Sequence, residues 1–129
     1  MELYNTSALS KGTDITEAYK NLTANGIVFS LTELKDGGLA AGTDAGIDLY
    51  NKSAISAETD TKEAYKTLKA SSSVNSLTEL RDGVLAAGTD AGTVVLYNTS
   101  AISAGTHTTA AYKNLQAVSY THLTLPTKA

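Results

Sequence analysis

The sequence contains no cysteine, no tryptophan and a single proline among its 129 residues. Without cysteine it forms no disulfide, has no thiolate nucleophile and offers no cysteine ligand to zinc. Its 10 basic and 13 acidic side chains give a net charge of −3 without a basic cluster, so nucleic acid is not an expected partner. Apolar runs are far shorter than the roughly 20 residues that span a bilayer, and no membrane segment is predicted.

Signatures of catalysis and of cofactor binding are also missing. The chain has no GxxxxGK[ST] or GxGxxG phosphate-binding loop, no HExxH zinc motif and no DxDxDG calcium loop. His107 has no metal-ligand partner at a workable spacing, and His122, the second histidine, lies in a divergent C-terminal segment. We therefore expect a protein without enzymatic activity, cofactor or metal. The sequence does not indicate a cellular compartment.

What the sequence does contain is an internal repeat. The tripeptide Leu-Tyr-Asn begins at residues 3, 49 and 96, so its copies are 46 and 47 residues apart. Ser-Leu-Thr-Glu-Leu begins at residues 30 and 76, and the segments 36–46 and 82–92 differ at a single position. Such a period is typical of arrays in which each repeat is one supersecondary unit that buries its apolar face against its neighbours.

Each repeat predicts three strands joined by tight turns. In the first full copy the strands are expected at residues 28–34, 39–43 and 47–50, because these are short apolar or β-branched segments. Asp36-Gly37 and Asp44-Ala45-Gly46 are the turn sequences between them.

Two further features of the strands predict how the sheets pack and where a strand bends. Alanine and glycine occupy the centre of the second strand, at residues 40–42 and 86–88, so neighbouring sheets should approach closely there. The third copy has Thr93-Val94-Val95 where the second has Ile47-Asp48. One extra residue inside a strand predicts a β-bulge and a local kink at this point.

The fourth element of the repeat has two interpretations. Residues 14–17 and 60–63 match a helix capping box, followed by apolar residues at helical spacing. The third copy lacks the acidic residue of this box, having Ala110 instead, and the sheet would otherwise have no outer strand. We expect a strand, with a short helix as the alternative.

The string SLTELKDGGLAAGTDAGIDLYN at residues 30–51, with a Tyr-Lys strand further along, resembles the blades of WD-repeat propellers. It resembles more closely the propellers of two-component regulator sensors, and the resemblance covers residues 2–117. The chain departs from the first pattern because no tryptophan precedes the asparagine and no Gly-His pair occurs. It departs from the second because Ala40 and Ala86 stand where an aromatic residue is usual.

The predicted fold class is therefore all-β, as a fragment of a β-propeller with about two and a half four-stranded antiparallel blades. Residues 1–26 would supply the third and fourth strands of a partial blade, followed by one blade at 27–72 and another at 73–117. Propellers close with four to eight blades, so the remaining blades of a parent propeller are expected partners. Met1-Glu2 aligns inside a strand, and we expect the reading frame to begin upstream.

The last segment, residues 118–129, breaks the repeat. Its decapeptide VSYTHLTLPT resembles the translation of a transposase-type sequencing adapter, and we expect a non-native tail. The alternative is a genuine divergent strand, since His122-Leu123-Thr124-Leu125 mimics Leu-Thr-Glu-Leu. That strand would start only three residues after Leu115, whereas the preceding copy has six from Leu68 to Val74.

Candidate binding residues lie in loops at one end of the predicted sheets, namely Asn25, Gly26, Asp44, Ser71, Ser72, Ser73 and Asp90. Asp44 and Asp90 recur at one blade position and could form a ring of carboxylates. We favour the simpler interpretation that each aspartate bonds the backbone of its own turn, and Asp36 and Asp82 are interpreted in the same way.

Six tyrosines also recur, in two sets: Tyr4, Tyr50 and Tyr97, and Tyr19, Tyr65 and Tyr112. They could form an aromatic platform for a sugar or peptide. Packing between blades, with the hydroxyl at the rim, is the favoured interpretation.

Near-identical repeats supply a scaffold without an asymmetric active site. We therefore expect a non-catalytic propeller that binds protein or peptide. The alternative is a sensory input or carbohydrate-binding propeller of a larger signalling protein or enzyme. Because about two blades leave edges and faces bare, we also expect the isolated chain to self-associate.

Overall fold

The computed structural model of the protein describes residues 1–4, 17–56, 59–103 and 107–116. In these residues the chain is all-β with antiparallel four-stranded sheets, the arrangement of part of a β-propeller, and the predicted fold class is confirmed. The segment 118–129, interpreted from the sequence as a non-native tail, lies outside the described residues.

Strands β1 (Glu2–Leu3) and β2 (Lys20–Asn21) pair as a two-stranded half-sheet. The first full sheet contains β3 (Val28–Glu33), β4 (Leu39–Thr43), β5 (Gly46–Tyr50) and β6 (Lys66–Leu68), and the second contains β7 (Val74–Glu79), β8 (Leu85–Thr89), β9 (Thr93–Tyr97) and β10 (Lys113–Gln116). In both sheets the strands lie side by side in the order of the sequence. Short turns join the first three strands of each sheet, whereas the longer segments 51–65 and 98–112 lead from the third strand to the fourth. Strands that follow one another in the sequence are thus neighbours in the sheet, as is usual.

The fourth element of each copy is a strand, as expected. β2, β6 and β10 pair with the strand that carries Leu-Tyr-Asn in the same copy. Residues 14–16 of the first capping box lie outside the described residues. The second, at 60–63, is not helical, and its backbone runs beside a neighbouring repeat, where Thr23 N donates to the Lys62 carbonyl at 2.8 Å.

Among the described residues, two short helices occur that were not expected from the sequence, α1 (Lys52–Ile55) and α2 (Thr99–Ile102). Each follows the asparagine of Leu-Tyr-Asn. The Oδ1 atom of Asn51 accepts from Ala54 N at 3.2 Å, and that of Asn98 accepts from Ala101 N at 3.3 Å. Asparagine is a favourable residue before the first turn of a helix because its side chain satisfies a free backbone N–H.

The predicted bulge in β9 is wrong. The register from Leu85↔Tyr97 to Gly88↔Val94 is continuous, as is that between β9 and β10. The extra residue is taken up by the turn before β9, where Gly92 N donates to the Thr89 carbonyl at 3.3 Å. A turn tolerates an added residue more easily than a strand paired on both sides. The register shifts instead in the first strand of each sheet, between Val28 and Ser30 and between Val74 and Ser76.

Two apolar cores hold the sheets together. The larger lies between the full sheets and includes Ala40, Ile47, Leu49 and Leu68 of the first sheet and Val74, Leu85, Ala87, Val95 and Tyr97 of the second. The smaller joins the half-sheet to the first full sheet and includes Leu22, Ala41, Tyr50 and Ala54. Ala40 and Ala41 enter opposite cores because side chains alternate along β4. The predicted close approach of neighbouring sheets is confirmed at residues 40–42, since β7 packs on β3 and β4. It is not seen at Gly88, where, within the described part of the chain, an added Cβ would meet only Ser76 of the same sheet.

Candidate functional site

The structure gathers the predicted loop residues of the first full copy at one end of its sheet. Asn25 N donates to Asp48 Oδ2 at 2.8 Å, and Asn25 Nδ2 donates to Asp48 Oδ1 at 2.7 Å. Thr67 Oγ1 donates to the same Oδ1 at 2.8 Å. A Cβ at Gly26 would lie 2.1 Å from Asp44 Oδ1, so a side chain at this position would displace the Asp44 carboxylate. Asn25 thus ties the loop to the sheet through a buried carboxylate, Asp48, that was not predicted from the sequence.

The loop residues of the second copy lie at the equivalent end of the second sheet. Asp90 N donates to the Ser73 carbonyl at 3.1 Å, which joins the serine-rich linker to the turn before β9. Ser71 and Asp90 are exposed, while the Oγ of Ser72 is buried and has no hydrogen-bond partner among the described residues. Val95 occupies the position equivalent to Asp48, so the carboxylate network of the first copy is absent here.

The turn aspartates behave in two ways. Asp36 bonds its own turn, as expected, with Gly38 N donating to its Oδ1 at 2.8 Å. Asp44 does not: its Oδ1 accepts from Ile27 N at 3.1 Å, across the loop end. The turn after β4 is instead bonded by a threonine, since Ala45 N donates to Thr43 Oγ1 at 2.9 Å.

Four of the six recurring tyrosines, Tyr19, Tyr50, Tyr65 and Tyr97, connect successive sheets through their hydroxyls, as the favoured interpretation predicted, whereas Tyr4 and Tyr112 are exposed. Tyr50 Oη donates to the Thr23 carbonyl at 2.5 Å, and Tyr97 Oη donates to the Lys69 carbonyl. In the opposite direction, Tyr65 Oη donates to the Ile102 carbonyl at 2.6 Å. Each of these three hydroxyls binds the backbone of the neighbouring repeat, so the three tyrosines hold successive sheets together.

A cleft opens at the other end of the sheets, between the Asp-Gly turns of the two copies. Its volume is about 530 Å³. The lining residues are Leu34, Lys35 and Asp36 of the first copy and Glu79, Arg81, Asp82, Gly83, Ile102 and Ser103 of the second. Leu34 and Ile102 are buried and give the cleft an apolar floor, while its rim is charged.

Hydrogen bonds between the two turns fix the shape of the cleft. Lys35 N donates to Glu79 Oε1 at 2.6 Å, and Lys35 Nζ donates to the Leu80 carbonyl at 2.9 Å. Asp36, Arg81 and Asp82 are exposed on the rim. These bonds hold Lys35 and Glu79, so a ligand would meet mainly Asp36, Asp82 and Arg81.

The charge of Asp36 also affects the pKa of Tyr65, one of the tyrosines that join the sheets. Burial raises the pKa of Tyr65, and the Asp36 carboxylate raises it further because negative charge disfavours the tyrosinate. The cleft was not predicted from the sequence. The available signal was the repeated pair of a basic residue followed by Asp-Gly, at residues 35–37 and 81–83.

Other classes of site find little support. Within residues 1–4, 17–56, 59–103 and 107–116, no three histidine, aspartate or glutamate side chains cluster as a metal site requires. His107 is exposed outside the strands and helices. No helix in the described part of the chain has the length and apolar character needed to cross a membrane.

No protein-family model matches this chain, and a search of curated proteins returned no match.

Proposed function

We propose that the chain belongs to a non-catalytic β-propeller that binds a peptide segment of a partner protein in the cleft between its two full sheets. The observation that supports this proposal is the form of the cleft, with an apolar floor and a charged rim in a volume of about 530 Å³. Ligand sites typically combine apolar lining with a few polar groups and occupy about 300–1,000 Å³.

A peptide suits the cleft better than a small molecule because the rim is open and its charges are spread over both repeats. Asp36 and Asp82 occupy equivalent turn positions and present carboxylates on both sides, with Arg81 beside Asp82. A peptide with a lysine or arginine facing the aspartates and an apolar side chain over Leu34 and Ile102 would complement this surface. The bonds from Lys35 to Glu79 and to the Leu80 carbonyl preorganise the cleft, which lowers the entropy lost on binding.

The proposal can be tested by selecting linear peptides from a display library against the full chain. Binding of the selected peptides, labelled with a fluorophore, would then be measured by fluorescence anisotropy. In Asp36→Asn/Asp82→Asn we expect the Kd to rise about tenfold, equivalent to about 1.4 kcal/mol. Binding should also weaken with added salt, since exposed charges are screened.

The opposite end of the sheets supplies a matched control. Asp44→Asn/Asp90→Asn removes the same charge from the turns that the sequence analysis favoured as a binding surface, and the amide oxygen can still accept from Ile27 N. This control should leave the Kd unchanged. If it weakens binding while Asp36→Asn/Asp82→Asn does not, the ligand occupies those loops and the cleft proposal is wrong. Selection of no binding peptide would also contradict it.

A further inference from the structure

Equivalent apolar positions have different exposure in the two full sheets. Leu34, Ile47 and Leu68 of the first sheet are 3%, 0% and 0% exposed, whereas their counterparts Leu80, Val94 and Leu115 are 42%, 38% and 41% exposed. The first set is covered by the second sheet. The second set is the same surface without a covering sheet among the described residues, so its geometry suits another sheet of the same kind.

One tyrosine of the set that bonds to the next sheet has no such sheet to bond to at this surface. Tyr19 donates to the Ile55 carbonyl at 2.5 Å, and Tyr65 donates to the Ile102 carbonyl at 2.6 Å. Their counterpart in the last copy, Tyr112, is 52% exposed beside β10. The side chain of Lys113 is also exposed, although its counterpart Lys20 is buried and donates to the Ser56 carbonyl at 2.8 Å.

In the other tyrosine set, which bonds to the preceding copy, the exposed tyrosine lies on the half-sheet. Tyr50 and Tyr97 are fully buried and donate to the carbonyls of Thr23 and Lys69 in the preceding copy. Tyr4, the third of this set, is 46% exposed and donates to Glu2 Oε1 at 2.7 Å. The third carbonyl of the acceptor set belongs to Gln116 at the end of β10.

We infer that a second copy of this chain docks head to tail, with its half-sheet, β1 and β2, packed on β9 and β10 of the first copy. Its Tyr4 hydroxyl then donates to the Gln116 carbonyl, while Val94 and Leu115 become buried. The contact repeats the two interfaces that already exist within the chain, and it does not depend on the proposed peptide cleft. A heterologous contact leaves one free surface at each end, so it builds closed rings or open filaments.

Sedimentation velocity of the full chain over a concentration series tests this inference. The wild type should associate with rising concentration. Val94→Asp places a charge on the surface formed by β9 and β10, and Tyr4→Asp places one on the half-sheet, so each variant alone should be monomeric. An equimolar mixture of the two should form a one-to-one heterodimer and no larger species, because each variant retains the surface that the other has lost.

Phe29→Asp is the matched control, since Phe29 is 47% exposed on β3 and lies outside both surfaces. It should associate like the wild type. A wild type that stays monomeric up to about 1 mM, where even a Kd in the millimolar range would give measurable association, overturns the inference. So does a mixture that stays monomeric, or an equal loss of association in Phe29→Asp, which would indicate unspecific apolar contact.

Discussion

Gly42 of β4 lies directly against Val74 of β7, where the two full sheets meet. A Cβ at position 42 would lie 2.5 Å from Val74 Cγ1, 2.9 Å from the Val74 carbonyl oxygen and 2.3 Å from Ser30 Oγ. In the second sheet, the equivalent Cβ on Gly88 would meet only the Ser76 side chain, with Oγ at 2.5 Å. The same residue is therefore required by packing in one repeat and not in the other.

Gly42→Ala should lower the free energy of unfolding by about 1–3 kcal/mol, because the added methyl group forces the sheets apart. Gly88→Ala should stay within about 1 kcal/mol of the wild type, since the Ser76 hydroxyl can rotate away and alanine reduces the entropy of the unfolded chain. Urea denaturation at one protein concentration measures both variants. Equal destabilisation would show that the strand conformation, and not the neighbouring sheet, requires glycine.

Because Tyr97 is buried, we expect the free energy of unfolding to fall at alkaline pH. Burial raises its pKa to about 12 from the ordinary value of 10.0. Between these values the unfolded chain releases the phenolic proton while the native chain keeps it. Stabilisation that is complete below pH 10 is therefore lost as the pH rises through about 12.

Tyr97→Phe should reduce this pH dependence of the free energy of unfolding. At neutral pH it should cost about 1 kcal/mol, because the hydrogen bond to the Lys69 carbonyl is lost. Tyr112→Phe, at a ring that is 52% exposed, controls for the loss of a tyrosine. Urea denaturation at a series of pH values gives the slopes, and an unchanged slope in Tyr97→Phe would contradict the prediction.

Asp48 is the centre of the polar network that joins the half-sheet linker to the first full sheet. Asp48→Val removes a buried carboxylate that accepts from Asn25 and Thr67, and should cost about 2–3 kcal/mol. The second sheet has Ser71, Val95 and Asn114 at these three positions. Asn25→Ser/Asp48→Val/Thr67→Asn copies that set and should recover part of the loss, because groups in one network are not additive.

Thermal and urea unfolding of the single and triple variants measure this coupling. A triple variant less stable than Asp48→Val would show that the second set depends on its own surroundings.

Most of the strand positions could be predicted from sequence because they depend on local chemistry. β4 has the bounds predicted from its apolar residues and flanking turns, Leu39–Thr43. The register shift after Val28 gave no such signal, since it depends on pairing with β4. The role of Asp44 was also missed, because its acceptor oxygen serves Ile27, a residue that only the fold brings near.

The candidate binding surface, too, could be predicted from the sequence only in part. The loops at one end of the sheets could be predicted from the sequence, because glycine, serine and asparagine there are typical of turns. The cleft at the other end depends on the spacing between two sheets, which no residue specifies alone. Lys35 and Glu79 meet there although 44 positions separate them in the chain.

The sequence by itself determined the repeat, the strands within it and the turns that join them, because alternation, small residues and turn chemistry act over a few residues. The tertiary structure decided which surfaces of near-identical repeats are buried. Leu68 and Leu115 follow similar sequences, yet Leu68 is fully buried and Leu115 is 41% exposed. Burial depends on whether another sheet lies against the residue, and that neighbour is supplied by the fold.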